Sequence, residues 1–296
     1  GDLRLVDAAD TAQEVVLLPF ELDRLELRKL RLHLRKLFVQ LLLGRRARRA
    51  FQAPRSELRA ELEAKGHRFR SRSDTEVLLN GFMEWGLDVL DRLNGIFAFA
   101  VWDRKTRTLT LARDRYGVKP LYYTLSGGNF LFASEIKAFL AYPEFHARID
   151  SEGLLEYFTF QNFFTDRTLF AGIRLLPAGS WLQVTLPLEV LPEPVTYWDY
   201  HFEEPSSPRQ ESEYLEELDG LLCKAVKRQL VSDVPVNAYL SGGMDSGTIT
   251  AISSKELSKL MTFTIGFDMR SASGIEIGYD ERERAEYMSY LFNTEH

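Results

Sequence analysis

The sequence lacks several features that would point to particular protein classes. It has one cysteine, Cys223, so no disulfide can form within the chain. It has no run of about 20 apolar residues that could span a bilayer, and no signal-peptide pattern opens it. We therefore expect neither a membrane span nor export, and the reducing cytoplasm is the expected location. The formal net charge of −6 argues against a general nucleic-acid binder.

The composition that is present is typical of a globular protein with more than one domain. The chain has 296 residues, of which 45% are hydrophobic and 12% aromatic. Domains commonly have about 150 residues, so this length predicts two domains.

Residues 1–55 differ in amino-acid composition from the rest of the chain. Leucine, arginine and lysine dominate from Glu21 to Arg49. The leucines at 27, 30, 34, 37 and 41 recur at alternating steps of three and four, which predicts an amphipathic helix. It could bind a membrane surface or a partner through its basic residues. The pattern alone favours a helix packed on its own domain with a solvated face.

Residues 56–186 are predicted to form an α+β domain with layered antiparallel sheets. Ser56 is expected to cap one helix that stops at Gly66, and Ser73 with Glu76 to form a capping box. The runs "GIFAFAVWD" and "TLTLARD" read as strands, and "LYYTLSGGNFLFAS" as a hairpin turning at its two glycines. In "ARDRYGVKPLYY" we expect Arg113 and Asp114 to form a structural salt bridge.

Residues 187–212 contain five prolines among acidic residues and serines, which is typical of a linker. Residues 213–296 then read as helix, strand "VNAYL", helix and strand "MTFTIGF". A strand–helix–strand order predicts a parallel unit, here the start of a doubly wound α/β domain. That domain is expected to be incomplete at His296.

The stretch "YLSGGMDSGT" joins the first of these strands to the following helix. Gly242 and Gly243 allow the backbone to approach an anion, and Ser241 and Ser246 offer hydroxyl groups. Asp245 could hold Mg²⁺ or cap the helix. The loop has no lysine, so it is not a G-x-x-x-x-G-K-[ST] loop. A glycine turn without a ligand is the alternative.

These residues resemble a known family. S-G-G-[LM]-D-S after an apolar strand is similar to the pyrophosphate loop of ATP pyrophosphatases that make acyl-adenylates. "RLNGIFAFAVWD", "ARDRYGVKPLYY", "FASEIKAF" and "LLPAGSW" resemble the amidotransferase domain of glutamine-dependent asparagine synthetases, and "TFTIGF" and "YDERERAEYMSYLFNTEH" the next segments of their synthetase domain. The resemblance runs from about Ser56 to His296.

The resemblance implies an ATP-dependent amidation of aspartate through β-aspartyl-AMP, with glutamine as nitrogen donor and Mg²⁺ beside ATP. It implies that Asp74 binds the α-amino group of glutamine. It also implies an ATP site at Leu240, Ser241, Gly242, Gly243, Asp245, Ser246 and Ile265, with Asp245 as a Mg²⁺ ligand. The partners are then L-glutamine, L-aspartate and ATP, with no nucleic acid and no membrane; a homodimer is one assembly open to the chain.

The first 55 residues depart from the family. The family's nucleophile is an N-terminal cysteine, but no cysteine precedes Cys223, which is expected to be a packing residue of a helix. "RAFQAP" stands where the family has "NGEIYN", and the arginine loop that clamps glutamine has no counterpart. We therefore expect no catalytic nucleophile and no glutaminase activity. A reading-frame or assembly artefact is a third interpretation of residues 1–55.

Two other functions remain open at this stage. The same domain pair could adenylate a carboxylate other than aspartate, since the residues that select the acceptor are expected beyond His296. The chain could also be a non-catalytic degenerate paralogue that binds a partner through its basic helix.

Overall fold

A computed structural model of the chain describes the backbone of residues 3–7 and 16–18, and residues 55–185, 188, 191–232, 234–266 and 280–296. The chain divides into two compact units, residues 1–202 and 203–296. The predicted leucine–arginine helix lies outside the described residues, as does most of the 1–55 segment.

The described residues of unit 1 form two antiparallel sheets. The five-stranded sheet has the order β1 (Leu3–Asp7), β3 (Ala98–Asp103), β4 (Thr108–Arg113), β8 (Ser180–Thr185) and β9 (Val195–Thr196). The four-stranded sheet has the order β2 (Val16–Leu18), β6 (Asn129–Ala133), β5 (Tyr122–Ser126) and β7 (Arg174–Leu175). Its α-helices are α1 (Arg55–Ala64), α2 (Asp74–Trp85), α3 (Val89–Arg92) and α4 (Ser151–Phe160).

Successive side chains of a strand point to opposite faces of the sheet, and this alternation places β3 between two packed layers. Ala98 and Ala100 of β3 belong to a core that also contains Tyr123, Phe130 and Phe132, so the two sheets bury one face against each other. The alternate residues Phe99 and Val101 pack with helix residues such as Leu62, Val77 and Leu90. Both faces of β3 are buried, which explains its unbroken apolar sequence.

Local details of unit 1 confirm some predictions and correct others. The hairpin turns at Gly127 and Gly128, whose φ angles of +55° and +72° suit glycine. Ser73 caps α2 by accepting a hydrogen bond from the Thr75 N–H (3.2 Å). The predicted capping box is wrong in its return bond, because the Glu76 carboxylate accepts from the N–H groups of Arg70 and Ser71 instead.

The expectations for Ser56 and for the Arg113–Asp114 salt bridge were also wrong. Helix α1 begins at Arg55, so Ser56 lies within it. Arg113 donates to the carbonyl oxygens of Lys119 (2.7 Å), Leu176 (2.6 Å) and Gly117. Among the described residues, the Asp114 carboxylate accepts from backbone N–H groups of the same loop and of Phe97 and pairs with no cation. Each residue therefore stabilises the chain reversal after β4 through main-chain groups.

The stretch predicted as a linker includes part of unit 1. β9 pairs with β8 in antiparallel register, and the Tyr197 hydroxyl donates to the Arg113 carbonyl oxygen at 3.0 Å. Burial raises the Tyr197 pKa well above its usual value. The boundaries at 56–186, 187–212 and 213–296 remain predictions.

Unit 2 contains the predicted helix–strand–helix–strand succession. Its elements are α5 (Glu211–Gln229), β10 (Asn237–Tyr239), α6 (Met244–Glu256), β11 (Met261–Phe263) and α7 (Arg282–Phe292). β10 and β11 are parallel, with Tyr239 opposite Phe263. An α+β unit followed by a parallel βαβ unit is the predicted fold class, and the described residues confirm it. No helix among them is sufficiently long and apolar to traverse a bilayer.

Candidate functional site

The candidate site is the loop between β10 and α6. Because β10 and β11 are parallel, both strands end at the same edge of the sheet, and α6 begins there. Gly242 has φ +75°, a conformation that L side chains rarely adopt, and Gly243 is the N-cap of α6. Two glycines therefore turn the chain from strand to helix within a few residues.

A network of the two serine hydroxyls closes this loop. The Ser241 N–H donates to Ser246 Oγ at 3.2 Å, and the two hydroxyl oxygens are 2.9 Å apart. The Ser246 hydroxyl also lies 3.2 Å from the Gly243 carbonyl oxygen, to which it can donate. The serines thus hold the ends of the loop together, a positioning role that the sequence did not suggest.

The start of α6 offers backbone donors. The first residues of a helix have no intrahelical acceptor for their N–H groups, and Gly247 is the first residue whose N–H bonds back, to the Gly243 carbonyl oxygen at 2.9 Å. In the described part of the chain we find no acceptor for the N–H groups of Met244, Asp245 and Ser246. Together with the positive end of the helix dipole, these donors suit an anion.

Asp245 is the second residue of α6 and is exposed. The alternative that Asp245 caps the helix is not seen, because Gly243 occupies the N-cap position and no side-chain cap bond forms. No group of three or more metal-ligating side chains occurs among the described residues. One exposed carboxylate beside a phosphate site is nevertheless the type of donor with which Mg²⁺ binds together with phosphate oxygens.

Leu240 and Ile265 follow the ends of the two strands but differ in solvent exposure. Leu240 is 1% exposed, its N–H donates to the Phe263 carbonyl oxygen at 2.9 Å, and its carbonyl oxygen accepts from the Thr264 hydroxyl. Ile265 is 82% exposed. Ile265 therefore exposes apolar surface after β11, whereas Leu240 anchors the end of β10.

Helix α7 packs directly against the loop, a contact that the sequence did not predict. A Cβ atom on Gly242 would lie 2.6 Å from Arg284 Cβ and 3.3 Å from the Ala285 nitrogen. A Cβ on Gly247 would lie 3.1 Å from Met288 Sδ, and one on Gly266 would lie 2.3 Å from Arg282 Cδ. Glycines at these three positions therefore allow α7 to approach the loop closely.

In unit 1, Asp74 is the first residue of α2 and is buried. Its Oδ1 accepts a hydrogen bond from the Thr75 N–H at 2.9 Å. A carboxylate at this position compensates the helix dipole, which is the role that requires no ligand. A role in glutamine binding remains a prediction.

Cys223 lies in the middle of α5 and is partly buried. Its sulfur is 4.0 Å from Asp219 Oδ1, one helical turn earlier. This position agrees with the expectation of a helix packing residue rather than a nucleophile.

Comparisons with known proteins match both units. Residues 55–193 match the family model of a glutamine amidotransferase domain, and residues 217–296 match that of asparagine synthase. The chain is 42% identical over 251 residues to asparagine synthetase [glutamine-hydrolyzing] 3 of Bacillus subtilis, covering 81% of this chain and 40% of that protein. It is 34% identical over 221 residues to asparagine synthetase [glutamine-hydrolyzing] 1 of the same organism, covering 75% and 34%.

The chain therefore spans less than half the length of these relatives. Among solved structures, glutamine phosphoribosylpyrophosphate amidotransferase from B. subtilis, complexed with ADP and GMP, aligns with a TM-score of 0.35 and 16% identity, covering 75% of this chain and 47% of that one. A similarity of this size carries no argument about function.

Proposed function

Because this chain belongs to the family of glutamine-hydrolysing asparagine synthetases, we propose that it serves in the ATP-dependent amidation of aspartate, with glutamine as nitrogen donor. The observation that carries the proposal is the loop from Ser241 to Ser246, which joins a parallel strand to a helix and falls within the asparagine synthase match. The activity is that of a carbon–nitrogen ligase with glutamine as amido donor.

The chemistry explains why a phosphate site is needed. A carboxylate is a poor electrophile until one of its oxygens becomes part of a good leaving group. In the proposed reaction, a side-chain carboxylate oxygen of aspartate attacks the α-phosphorus of ATP, and the bond to pyrophosphate breaks. Ammonia then attacks the carbonyl carbon of β-aspartyl-AMP, the bond to AMP breaks, and loss of a proton from nitrogen gives asparagine.

In this scheme the described residues bind and orient the nucleotide. The unpaired N–H groups at the start of α6 bind the phosphates, and their fixed dipoles stabilise charge as pyrophosphate leaves. The exposed side chain of Ile265 offers an apolar surface to the adenosine. Mg²⁺, when bound, offsets phosphate charge, and Asp245 is the carboxylate that would hold it.

Glutamine is the nitrogen donor of the family reaction, but for residues 1–222 of this chain we propose glutamine binding without hydrolysis, so these residues would not themselves release the ammonia that the second step consumes. Residues 1–222 contain no cysteine, so they supply no thiolate for attack on the amide. Asp74 is proposed to pair with the α-amino group of glutamine. We expect no glutamate release above background when the chain is incubated with glutamine. Release that is abolished by Asp74→Ala would contradict this part of the proposal.

The nucleotide assignment is tested by titration of the full chain with Mg-ATP. We expect binding that Asp245→Ala weakens, because this change removes the carboxylate beside the phosphates. Asp219→Ala, on an exposed part of α5, is the matched control and should bind as the unchanged chain does. Equal signals from the unchanged chain and Asp245→Ala would reject the metal role of Asp245.

The acceptor is tested by carboxylate-dependent exchange of labelled pyrophosphate into ATP. Exchange that requires aspartate supports the proposed substrate. Exchange with another carboxylate alone would assign the chain to a related adenylating enzyme.

A further inference from the structure

We propose that Arg284, on helix α7, is a phosphate-binding residue of the loop from Ser241 to Ser246. The inference rests on the proposed function and deepens it, because it names the cation that meets the phosphates of the nucleotide. Neither a glycine-rich loop nor the first turn of a helix supplies a full positive charge. A side-chain cation from elsewhere in the fold would add positive charge to that of the Mg²⁺ proposed above.

The geometry places Arg284 beside the loop at the level of the backbone. Gly242 has φ +75°, and a Cβ built on it would lie 2.6 Å from Arg284 Cβ and 3.4 Å from the Arg284 carbonyl carbon. The contact therefore involves the main chain and first side-chain atom of Arg284, which helix α7 holds in place. It does not depend on how a long flexible side chain happens to be oriented.

The loop itself offers no cation to a phosphate. In a lysine-containing phosphate loop the ammonium group reaches the β- and γ-phosphates, whereas residues 239–248 contain no lysine or arginine. The one charged residue of this stretch is Asp245, which is negative and exposed. Arg284 would supply the missing positive charge from a segment about 40 residues later in the chain.

The two arginines of α7 closest to the loop differ in their ionic partners. Arg282 is held by Asp280, with Nε 2.9 Å from Oδ1 and 3.0 Å from Oδ2, and this hydrogen bond lowers the Asp280 pKa. Arg284 is exposed and forms no ion pair or side-chain hydrogen bond with the described residues. Among the described residues, no group therefore competes with a ligand for its guanidinium group.

The chemistry of arginine suits this role. The guanidinium group is planar and always charged, and its parallel N–H groups can bind two phosphate oxygens at once. Lysine at the same position would keep the charge but not the paired donors. The competing explanation is that Arg284 simply belongs to the solvated face of α7, in which case its removal should not affect any ligand.

The test compares phosphate-bearing and phosphate-free ligands on the full chain. Ligand-detected NMR would measure binding of magnesium pyrophosphate, Mg-ATP and adenosine to the unchanged chain, to Arg284→Ala and to Arg284→Lys. The control is Lys255→Ala, which removes an exposed cation near the C-terminal end of α6, roughly 15 Å from the loop at 1.5 Å per residue. Far-ultraviolet circular dichroism would verify that each variant keeps its helices.

We expect Arg284→Ala to weaken binding of pyrophosphate and ATP about tenfold, as is typical for loss of a charged hydrogen-bonding partner. Adenosine binding should not change, Arg284→Lys should fall between, and Lys255→Ala should bind as the unchanged chain does. Equal pyrophosphate binding by Arg284→Ala and the unchanged chain would overturn the inference alone. Equal weakening of adenosine binding would also overturn it, because the effect would then be structural.

Two outcomes distinguish a failure of the role of Arg284 from a failure of the proposed function. If the unchanged chain binds neither ATP nor pyrophosphate, the assignment of the loop fails and the inference fails with it. If the unchanged chain binds both ligands and Arg284→Ala binds them equally well, the loop keeps its proposed function and only Arg284 loses its role.

Discussion

Asp114→Asn should be among the most destabilising isosteric changes in unit 1. The Asp114 side chain is 1% exposed and accepts four backbone hydrogen bonds. Oδ1 accepts from the N–H groups of Tyr116 (3.2 Å) and Val118 (3.0 Å), and Oδ2 from those of Phe97 (3.2 Å) and Lys119 (3.1 Å). These bonds tie the end of β4 to the loop that follows it.

The magnitude follows from the number of donors that lose an acceptor. Asparagine has the size and shape of aspartate, but an amide group replaces one carboxylate oxygen. Whichever oxygen is lost, two N–H groups then face a donor; the Phe97 N–H bond is buried and the other three are partly buried. An unsatisfied buried donor costs about 1–3 kcal/mol, and water can reach partly buried donors, so the two together should lower the free energy of unfolding by about 2–3 kcal/mol, the low end of that range.

The assay is unfolding in urea, monitored by tryptophan fluorescence. All four tryptophans, at positions 85, 102, 181 and 198, belong to unit 1, so the signal reports on that unit. Asp103→Asn is the matched control: Asp103 Oδ1 alone accepts from the N–H groups of Lys105 (2.8 Å) and Thr106 (3.4 Å), and asparagine can keep that oxygen. The reasoning is refuted if Asp114→Asn costs no more than Asp103→Asn.

Three further substitutions test other parts of the structure. The Tyr123 hydroxyl is buried without a hydrogen-bond partner among the described residues, and burial raises its pKa to about 12. The pKa of tyrosine in the unfolded chain is about 10, so unit 1 should lose about 2–3 kcal/mol of stability between pH 10 and 12. The Tyr123→Phe variant has no hydroxyl to ionise and should not show this loss, which urea unfolding at several pH values would measure. The Asp150 carboxylate caps α4, and the Gly153 N–H lowers its pKa. Asp150→Asn should therefore lower the free energy of unfolding by up to about 1 kcal/mol at pH 7. The difference in stability between this variant and the unchanged chain should vanish as the pH falls through the folded pKa of Asp150, which lies below the unfolded value of about 3.9. A difference that does not depend on pH would argue against the ionic contribution. Gly242→Ala should destabilise unit 2 by at least about 1–2 kcal/mol, because alanine must adopt a positive φ and meets Arg284 Cβ. Gly243→Ala, at φ −79°, should be milder, and faster hydrogen exchange of α6 and α7 amides in the first variant alone would support the argument.

The elements of the fold could be predicted because local patterns determine them. The strand in "GIFAFAVWD" and the hairpin turn at glycines 127–128 each depend on neighbouring residues, and both predictions are confirmed. The strand–loop–helix order at residues 237–256 is confirmed for the same reason. The position of the loop, between a strand and a helix, could thus be predicted from the sequence.

The contacts that complete the site depend on residues far apart in the chain. Nothing near Gly242 indicates that Arg284 and Ala285 lie against it, since α7 arrives from about 40 residues later. The Arg113–Asp114 prediction failed for a related reason. Adjacent opposite charges suggest an ion pair, but successive side chains at a strand end point in opposite directions and find main-chain partners there.

The two serines that close the loop have a consequence for how substitutions in the loop combine. Ser241 Oγ and Ser246 Oγ lie 2.9 Å apart, so one hydroxyl can donate to the other. Replacing one with alanine leaves the second without this partner, and the two single losses should exceed in sum the loss from the double replacement. The two hydroxyls therefore act as a coupled pair, and the Ser246 hydroxyl keeps its bonds to the Ser241 N–H and the Gly243 carbonyl oxygen when the Ser241 hydroxyl is lost.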